Sequence, residues 1–149
     1  MSAHYRPQAI LIIFVTLFTL LAFPTPASAD TFSVNTEDDL DDGLCNNNHC
    51  SLREAINAAN THIGPDLIEF SSLDASSQAV RIDLMSPLPP LLDSGTTIDG
   101  STVGGYAGIP RVLVVKGIPT IEEGINIQGS NCTIRALSMA GFGLPAGEQ

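Results

Sequence analysis

The clearest periodic pattern in the chain lies between residues 51 and 65. Apolar side chains recur there at i, i+3, i+4, i+7 and i+11, namely Leu52, Ala55, Ile56, Ala59 and Ile63. This spacing places them on one face of an α-helix of about three turns, which Gly64-Pro65 then ends. A helix of this length is not stable alone in water. We therefore expect Leu52, Ala55, Ile56 and Ala59 to pack on another part of the fold.

The start of this helix is marked by Ser51 and Glu54, which have the S-x-x-E spacing of a capping box. In a capping box, the hydroxyl of the first residue accepts a hydrogen bond from the amide of the fourth, and the carboxylate returns the bond. Ser51 and Glu54 are therefore predicted to fix the helix N-terminus.

Much of the remaining chain consists of short stretches that alternate apolar and polar residues or, as at residues 111–115, are almost wholly apolar like a strand buried on both sides. The pattern predicts strands at residues 31–35, 67–70, 80–84, 96–100, 111–115, 125–129 and 133–139. Glycine follows several of them, as in Ile98-Asp99-Gly100 and Ile127-Gln128-Gly129. Many short strands with glycine turns fit a sandwich, a barrel or a parallel β-helix, and the pattern does not choose among them.

Residues 1–29 have the pattern of a secretory signal peptide. Arg6 supplies a positive charge, Ala9–Phe23 is almost wholly apolar, and Ala27-Ser28-Ala29 has the small-x-small form of a cleavage site. As a helix the apolar run would be roughly 22 Å long, too short for a bilayer core of about 30 Å. We therefore expect a secreted or cell-surface protein with no stable membrane span; an uncleaved N-terminal anchor is the alternative.

Cys45 and Cys50 enclose the loop Asn46-Asn47-Asn48-His49. Successive asparagines favour turns, and an exported chain meets an oxidising environment, so we expect these two cysteines to form a structural disulfide. The alternative is a metal site formed by Cys45, His49, Cys50 and His62, although its spacing matches no standard zinc pattern. Cys132 is left over and is expected to be a small buried apolar residue.

The charge of the chain changes the picture in two ways. Sixteen Asp and Glu residues against six Lys and Arg residues give a net charge of −10, which excludes a general nucleic-acid binder. Five of the acids lie in the segment Glu37–Gly43, but Leu40 occupies a position where an EF-hand needs a ligand. We therefore expect a solvated acidic loop and no cofactor, with an irregular Ca²⁺ site as the alternative.

Residues that could carry catalysis are scattered along the chain. The pool consists of Arg81, Asp83, Asp93, Asp99, Arg111 and Arg135. A glycoside hydrolase needs two carboxylates that face one groove, and a lyase needs acids for Ca²⁺ together with a base. The sequence shows no such clustering, so no catalytic or metal-binding residue is predicted.

The heptapeptide Cys50–Ile56, CSLREAI, resembles the signature of the CSLREA domain, which is found at the N-terminus of exported right-handed parallel β-helix proteins. Downstream, Gly64–Phe70 and Gly129–Leu137 are similar to other segments of that family. The resemblance implies a mostly β fold, a right-handed parallel β-helix of the pectin-lyase-like kind with a short disulfide-tethered α-helical N-cap. Residues 30–65 would form the first strand, the acidic loop and the cap helix, and residues 66–149 the first rungs of an incomplete solenoid.

The resemblance implies no settled activity. We expect a structural or surface module without catalysis of its own, in which Leu52, Ala55, Ile56 and Ala59 cover the open end of the solenoid. The alternatives are a polysaccharide lyase or glycoside hydrolase, and an adhesin or carbohydrate-binding surface protein. The expected partners are an extracellular polysaccharide and further copies of the chain, because an exposed last rung presents unpaired strand edges.

Overall fold

The computed structural model describes residues 28–143. The predicted signal peptide lies outside these residues apart from Ser28 and Ala29, and so does the end of the predicted segment 66–149. The helix and strands of the described chain are β1 Thr31–Ser33, α1 Leu52–Thr61, β2 Leu67–Glu69, β3 Val80–Leu84, β4 Thr97–Asp99, β5 Val112–Lys116, β6 Thr133–Arg135 and β7 Leu137–Ala140. A short 3₁₀ helix, Gly100–Thr102, follows β4.

The strands form two parallel sheets. One has the order β1-β2-β4-β6 and the other the order β3-β5-β7. The register aligns like residues, so that Ile68 pairs with Ile98 and Ile98 with Ile134. A single hydrophobic cluster includes α1 and both sheets, with Ile68, Ile82 and Ile98 fully buried. The alternating residues of the strands therefore supply the core.

The predicted fold class, a right-handed parallel β-helix, is wrong. The described chain has two small parallel sheets and one helix, an α/β-like arrangement. The predicted strand at residues 125–129 is reduced to an isolated bridge between Leu91 and Ile127. The physical reason is that short alternating strands joined by glycine turns can also bury their apolar faces as two small parallel sheets packed against a helix. Such runs do not require a regular solenoid.

The predicted strand at residues 133–139 is divided at Ala136. Ala136 has a φ of 55°, a left-handed conformation that is uncommon for a residue with a Cβ. β6 therefore ends at Arg135 and β7 begins at Leu137 in the other sheet. Gly100 lies directly against this corner, and a Cβ at position 100 would meet the Ala136 carbonyl. This close approach of the corner requires a glycine at position 100.

Candidate functional site

The segment of residues 36–62, which we call the cap, contains the acidic loop, the disulfide loop and helix α1. Its helix α1 begins with both hydrogen bonds of a capping box. The Glu54 amide donates to the Ser51 hydroxyl at 3.2 Å, and the Ser51 amide donates to Glu54 Oε2 at 2.8 Å. The Ser51 hydroxyl also donates to the Leu40 carbonyl at 2.6 Å. Ser51 therefore joins the helix start to the acidic loop.

The predicted disulfide between Cys45 and Cys50 is confirmed. Asn35, which lies outside the disulfide loop, is hydrogen-bonded to it at two points. The Asn35 Oδ1 accepts from the Cys50 amide at 2.7 Å, and the Asn35 Nδ2 donates to the Asn46 carbonyl at 2.9 Å. Cysteine binds metal as a thiolate, and disulfide sulfurs are not thiolates. The alternative metal site through Cys45 and Cys50 is therefore wrong for this chain.

The apolar face of α1 is buried. Leu52, Ala55, Ile56 and Ala59 belong to the hydrophobic cluster and are at most 1 % exposed. The helix contacts β1 and β2. Ile63, the last residue of the sequence pattern, lies beyond the helix end at Thr61 and is 80 % exposed. The apolar stripe is therefore buried at the four residues that lie within the helix.

The polar face of α1 is attached to neighbouring segments by hydrogen bonds of Arg53. The guanidinium of Arg53 donates from Nε and Nη2 to the Asp39 carboxylate, at 3.1 and 2.8 Å. Its Nη1 donates to the Pro87 carbonyl at 2.7 Å, and Nη2 donates to the Ser86 carbonyl at 2.9 Å. The two charged side chains are only 10 % and 2 % exposed. Arg53 therefore ties the helix to the acidic loop and to the residues that follow β3.

Asn60, about two turns further along α1, extends this attachment. Its Nδ2 donates to the Pro90 carbonyl at 2.8 Å, and its Oδ1 accepts from the Leu92 amide at 2.7 Å. Sequence reasoning gave Arg53, Asn57 and Asn60 no role because they lie off the apolar stripe. Their own spacing of i, i+4 and i+7 forms a second, polar stripe, and this was the signal that could have revealed them.

The acidic loop is more than a solvated segment. Each of its five acids accepts a hydrogen bond within the described chain: Glu37 from the Arg81 amide, Asp38 from the Leu40 amide, Asp39 from Arg53, Asp41 from Asn57 and Asp42 from the Leu44 amide. The bond to Arg81 is important because β3 is an edge strand of its sheet. An acidic side chain therefore occupies a donor on a strand edge.

His49 lies between two carboxylates. Its Nε2 is 3.1 Å from Asp38 Oδ1, and its Nδ1 is 2.8 Å from Glu54 Oε2. Burial by itself lowers the pKa of His49, but the hydrogen bond with Asp38 and the charges of Glu54 and Asp38 outweigh it and leave the pKa raised. For Asp38, burial raises the pKa, while bonds from Thr36, Leu40 and His49 bring it below its ordinary value. The arrangement favours a charged imidazole between two carboxylates.

Asp42, His49 and Glu54 are also the residues that could hold a metal ion, because one ligand atom of each lies within 4.8 Å of the others. Glu54 is already engaged, however. Its Oε1 accepts from the Asp42 amide at 2.6 Å, and its Oε2 accepts from the Ser51 amide. The protein's own donors thus use both carboxylate oxygens of Glu54.

Most of the residues considered for catalysis form separate pairs. Arg81 and Asp83 lie 2.6 Å apart on β3, and both side chains are about half exposed. Asp99 and Arg135 are register partners on β4 and β6, 2.5 Å apart. Burial raises the pKa of Asp99, but the hydrogen bonds from Arg135 and Ser101 outweigh it and leave the pKa lowered. Asp99 is therefore held ionised, with its charge already compensated.

The other two members of the pool are engaged elsewhere. Asp93 Oδ2 accepts from the Thr96 hydroxyl at 2.6 Å, and Arg111 donates to the Ala75 carbonyl. Cys132, which has no disulfide partner in the described chain, is half-buried and donates to the Asp93 carbonyl at 3.2 Å. The structure gives the six candidate residues individual partners and does not gather them into one site.

A surface depression of about 380 Å³ lies beside α1 and the disulfide. It is lined by Asp41, Gly43, Leu44, Cys45, Glu54, Asn57, Ala58 and Thr61. The lining contains no aromatic ring on which a sugar could stack. Tyr106, which is 36 % exposed, lies outside it.

Within residues 28–143, no helix combines the length and apolarity that crossing a membrane requires. The disulfide of the cap is typical of proteins that fold in an oxidising compartment. Comparison of the chain with protein-family models, curated proteins and solved structures finds no match.

Proposed function

We propose that this chain is an exported structural module without catalysis of its own, in which the cap protects one end of the two parallel sheets. The observation that carries the proposal is the contact between the acidic loop and strand β3. Glu37 accepts from the Arg81 amide at 2.9 Å, and Asp39 accepts from the Met85 amide at 2.8 Å just beyond the strand. A strand edge with free donors is a template for pairing with another chain.

Two further features support export. Residues 1–29 have the pattern of a signal peptide, and the Cys45–Cys50 disulfide is of a kind that persists outside the reducing cytosol. The resemblance of Cys50–Ile56 to the CSLREA signature supports the same location, the cell envelope or the exterior.

The engagement of the candidate catalytic residues favours a structural role over a lyase or a glycoside hydrolase. Asp99 is paired with Arg135, and Asp83 with Arg81. A general base or nucleophile for glycan cleavage must reach the substrate, and these carboxylates are held by neighbouring cations. The adhesin alternative needs a binding platform, for which Tyr106 is the one exposed aromatic residue among the large exposed apolar side chains of the described chain.

Lack of catalysis can be tested on the exported protein. Polyuronates and neutral glycans are incubated with it, with and without Ca²⁺, and products are followed by ultraviolet absorbance and reducing-end release. We expect no turnover above a boiled control. Turnover that Asp99→Ala abolishes would establish the enzyme alternative and overturn the proposal.

Protection of the β3 edge can be tested by Glu37→Ala, which removes the acceptor of the Arg81 amide. We expect this variant to self-associate more than the parent chain in sedimentation and light scattering. The matched control is Asp42→Ala, an exposed acid of the same loop that bonds the Leu44 amide and not a strand. Equal association of both variants and the parent would contradict the protective role.

We further propose self-association through β6 and β7, the edge strands at the opposite end of the sheets. Met139 on β7 is 42 % exposed. Met139→Lys should reduce concentration-dependent association, because a charge on an edge strand opposes pairing. Met85→Lys places the same charge at an exposed methionine near the cap and should leave association unchanged.

A further inference from the structure

The carboxylate of Asp66 is fully buried, at 0 % side-chain exposure. Its Oδ1 accepts from the Asp30 amide nitrogen at 2.9 Å and lies 2.8 Å from Nδ1 of His62. Its Oδ2 is also buried and has no hydrogen-bond partner among the described residues. A buried carboxylate with an unsatisfied oxygen is costly unless a positive charge compensates it. Oδ2 of Asp66 therefore has room for a further donor, and a cationic one would fit a buried carboxylate best.

The nitrogen atom that contacts Asp66 is at a special place in the sequence. Asp30 directly follows Ala27-Ser28-Ala29, the predicted cleavage site. Hydrolysis of the Ala29–Asp30 peptide bond by a signal-peptidase-type protease consumes one water. The Ala29 carbonyl carbon gains the hydroxyl and becomes a carboxylate, and the Asp30 nitrogen becomes an α-ammonium with three protons.

We propose that this cleavage creates an ion pair between the new α-ammonium of Asp30 and the buried carboxylate of Asp66. The inference rests on the export proposed above, and it adds a chemical consequence of processing. The ammonium supplies the missing positive charge, and its additional protons can serve the second oxygen of Asp66. Processing then completes the folded structure in addition to releasing the chain.

The position of the Asp30 nitrogen is set by residues on its C-terminal side, so removal of the preceding segment does not displace it. The Asp30 carbonyl accepts from the Leu67 amide at 2.9 Å, and the Asp66 carbonyl accepts from the Thr97 amide at 2.8 Å. Asp30 and Asp66 thus extend the ladder of β1, β2 and β4. The two partners of the ion pair are held by neighbouring strands of one sheet.

His62 is the other group that could compensate the charge of Asp66. Its ring is held edge-on against Phe32, with centroids 6.2 Å apart, and its side chain is 31 % exposed. Its Nδ1, like the Asp30 nitrogen, contacts Oδ1 and leaves Oδ2 without a donor. Cleavage adds protons to the Asp30 nitrogen alone, and these can turn toward Oδ2. The α-ammonium is therefore the better match to the whole carboxylate.

The ion pair can be tested by amine labelling, because the chain from Asp30 onward has two primary amines, the α-amino group and Lys116. Near neutral pH a free α-amine, with a pKa of about 7.7–8.0, reacts with acylating reagents faster than a lysine, with a pKa of about 10.4. In the exported wild-type protein we expect the Asp30 α-amine to be acylated about tenfold more slowly than in Asp66→Asn, which corresponds to one pKa unit. Lys116 should react equally in both proteins and serves as the internal control.

The mass of the exported protein is measured first. A mature chain that begins at a residue other than Asp30 would overturn the inference at the level of processing. A chain that begins at Asp30 with equal α-amine reactivity in wild type and Asp66→Asn would overturn the ion pair and leave the export proposal standing.

If Asp66→Asn does not fold, wild-type protein in urea replaces it as the reference. The α-amine of the folded wild type must then react about tenfold more slowly than that of the unfolded wild type. Each rate is divided by that of Lys116 in the same sample. Equal ratios in the folded and unfolded protein would overturn the ion pair.

Discussion

The two ends of the paired sheets contain similar ion pairs in different surroundings. At the cap end, Arg53 and Asp39 are both buried, with 10 % and 2 % of their side chains exposed. At the opposite end, Asp99 is equally buried, but its partner Arg135 is 62 % exposed. The first pair is closed off from water by the helix and the acidic loop, whereas the second is open to it. The cap end is therefore expected to carry most of the stability of the fold.

The strand edges differ in the same way. The Arg81 amide on β3 donates to Glu37, and the Met85 amide just beyond the strand donates to Asp39. Strands β6 and β7 are edge strands whose residues are half-buried or exposed. At the cap end, acids of the loop therefore serve as hydrogen-bond acceptors as well as surface charges.

The largest expected effect is that of Arg53→Ala. Removal of one partner from a buried ion pair leaves the other charge uncompensated and costs about 3–5 kcal/mol. Arg53→Ala also leaves the Ser86 and Pro87 carbonyls without their donor. The free energy of unfolding, measured by urea denaturation, should fall by this amount.

The matched control is Arg135→Ala, which removes the exposed cation of the second pair. Asp99 then keeps its hydrogen bonds from the amide and hydroxyl of Ser101. We expect a much smaller loss of stability than for Arg53→Ala. Equal losses for the two variants would contradict the distinction between the two ends.

The next effect concerns the apolar face of α1. Ile56 is fully buried against the core, so Ile56→Ala should cost about 2–5 kcal/mol. Ile134 on β6 is only half-buried, and Ile134→Ala should cost less. Thermal and urea unfolding of both variants measure the difference, and a neutral Ile56→Ala would show that the helix does not pack on the sheets.

Ser51→Ala removes the N-cap of α1, which typically costs about 1 kcal/mol. The loss should lie at the upper end of the range for N-caps, because the Ser51 hydroxyl also donates to the Leu40 carbonyl. Ser71→Ala, at an exposed serine outside the cap, is the control. An unchanged urea midpoint for Ser51→Ala would remove the support for this helix start.

The smallest expected effect is the pH dependence of the His49 contacts. Because the pKa of His49 is raised above 6.5 in the folded state, its contribution is fully present below that value and is lost as the pH rises through the folded pKa. The pKa of Asp38 is lowered below 3.8, so its contribution is present above 3.8 and is lost as the pH falls through the folded value.

Wild type should therefore exceed His49→Gln in stability most clearly between pH 3.8 and pH 6.5, and the difference should shrink toward pH 9. Urea midpoints of both proteins across this range provide the measurement. A difference that is constant with pH would show that the His49 charge does not contribute.

Local features of the cap could be predicted from the sequence, whereas distant partners could not. The disulfide and the Ser51–Glu54 box follow from spacings of a few residues. Arg53 bonds Ser86 and Pro87, and Asp66 meets Asp30, across separations for which no local pattern exists. The predicted fold class was wrong for a related reason, because alternation identifies strands but does not specify how they assemble into sheets.

Native-state hydrogen exchange tests the difference between the two ends most directly. Amides in α1, such as that of Ala59, should exchange only through global unfolding, because the helix is attached by buried contacts on both faces. Amides in β6 and β7 should exchange faster, through local opening. Exchange from α1 that is as fast as exchange from β7, or faster, would contradict the proposal that the cap is the stable, protective end of this module.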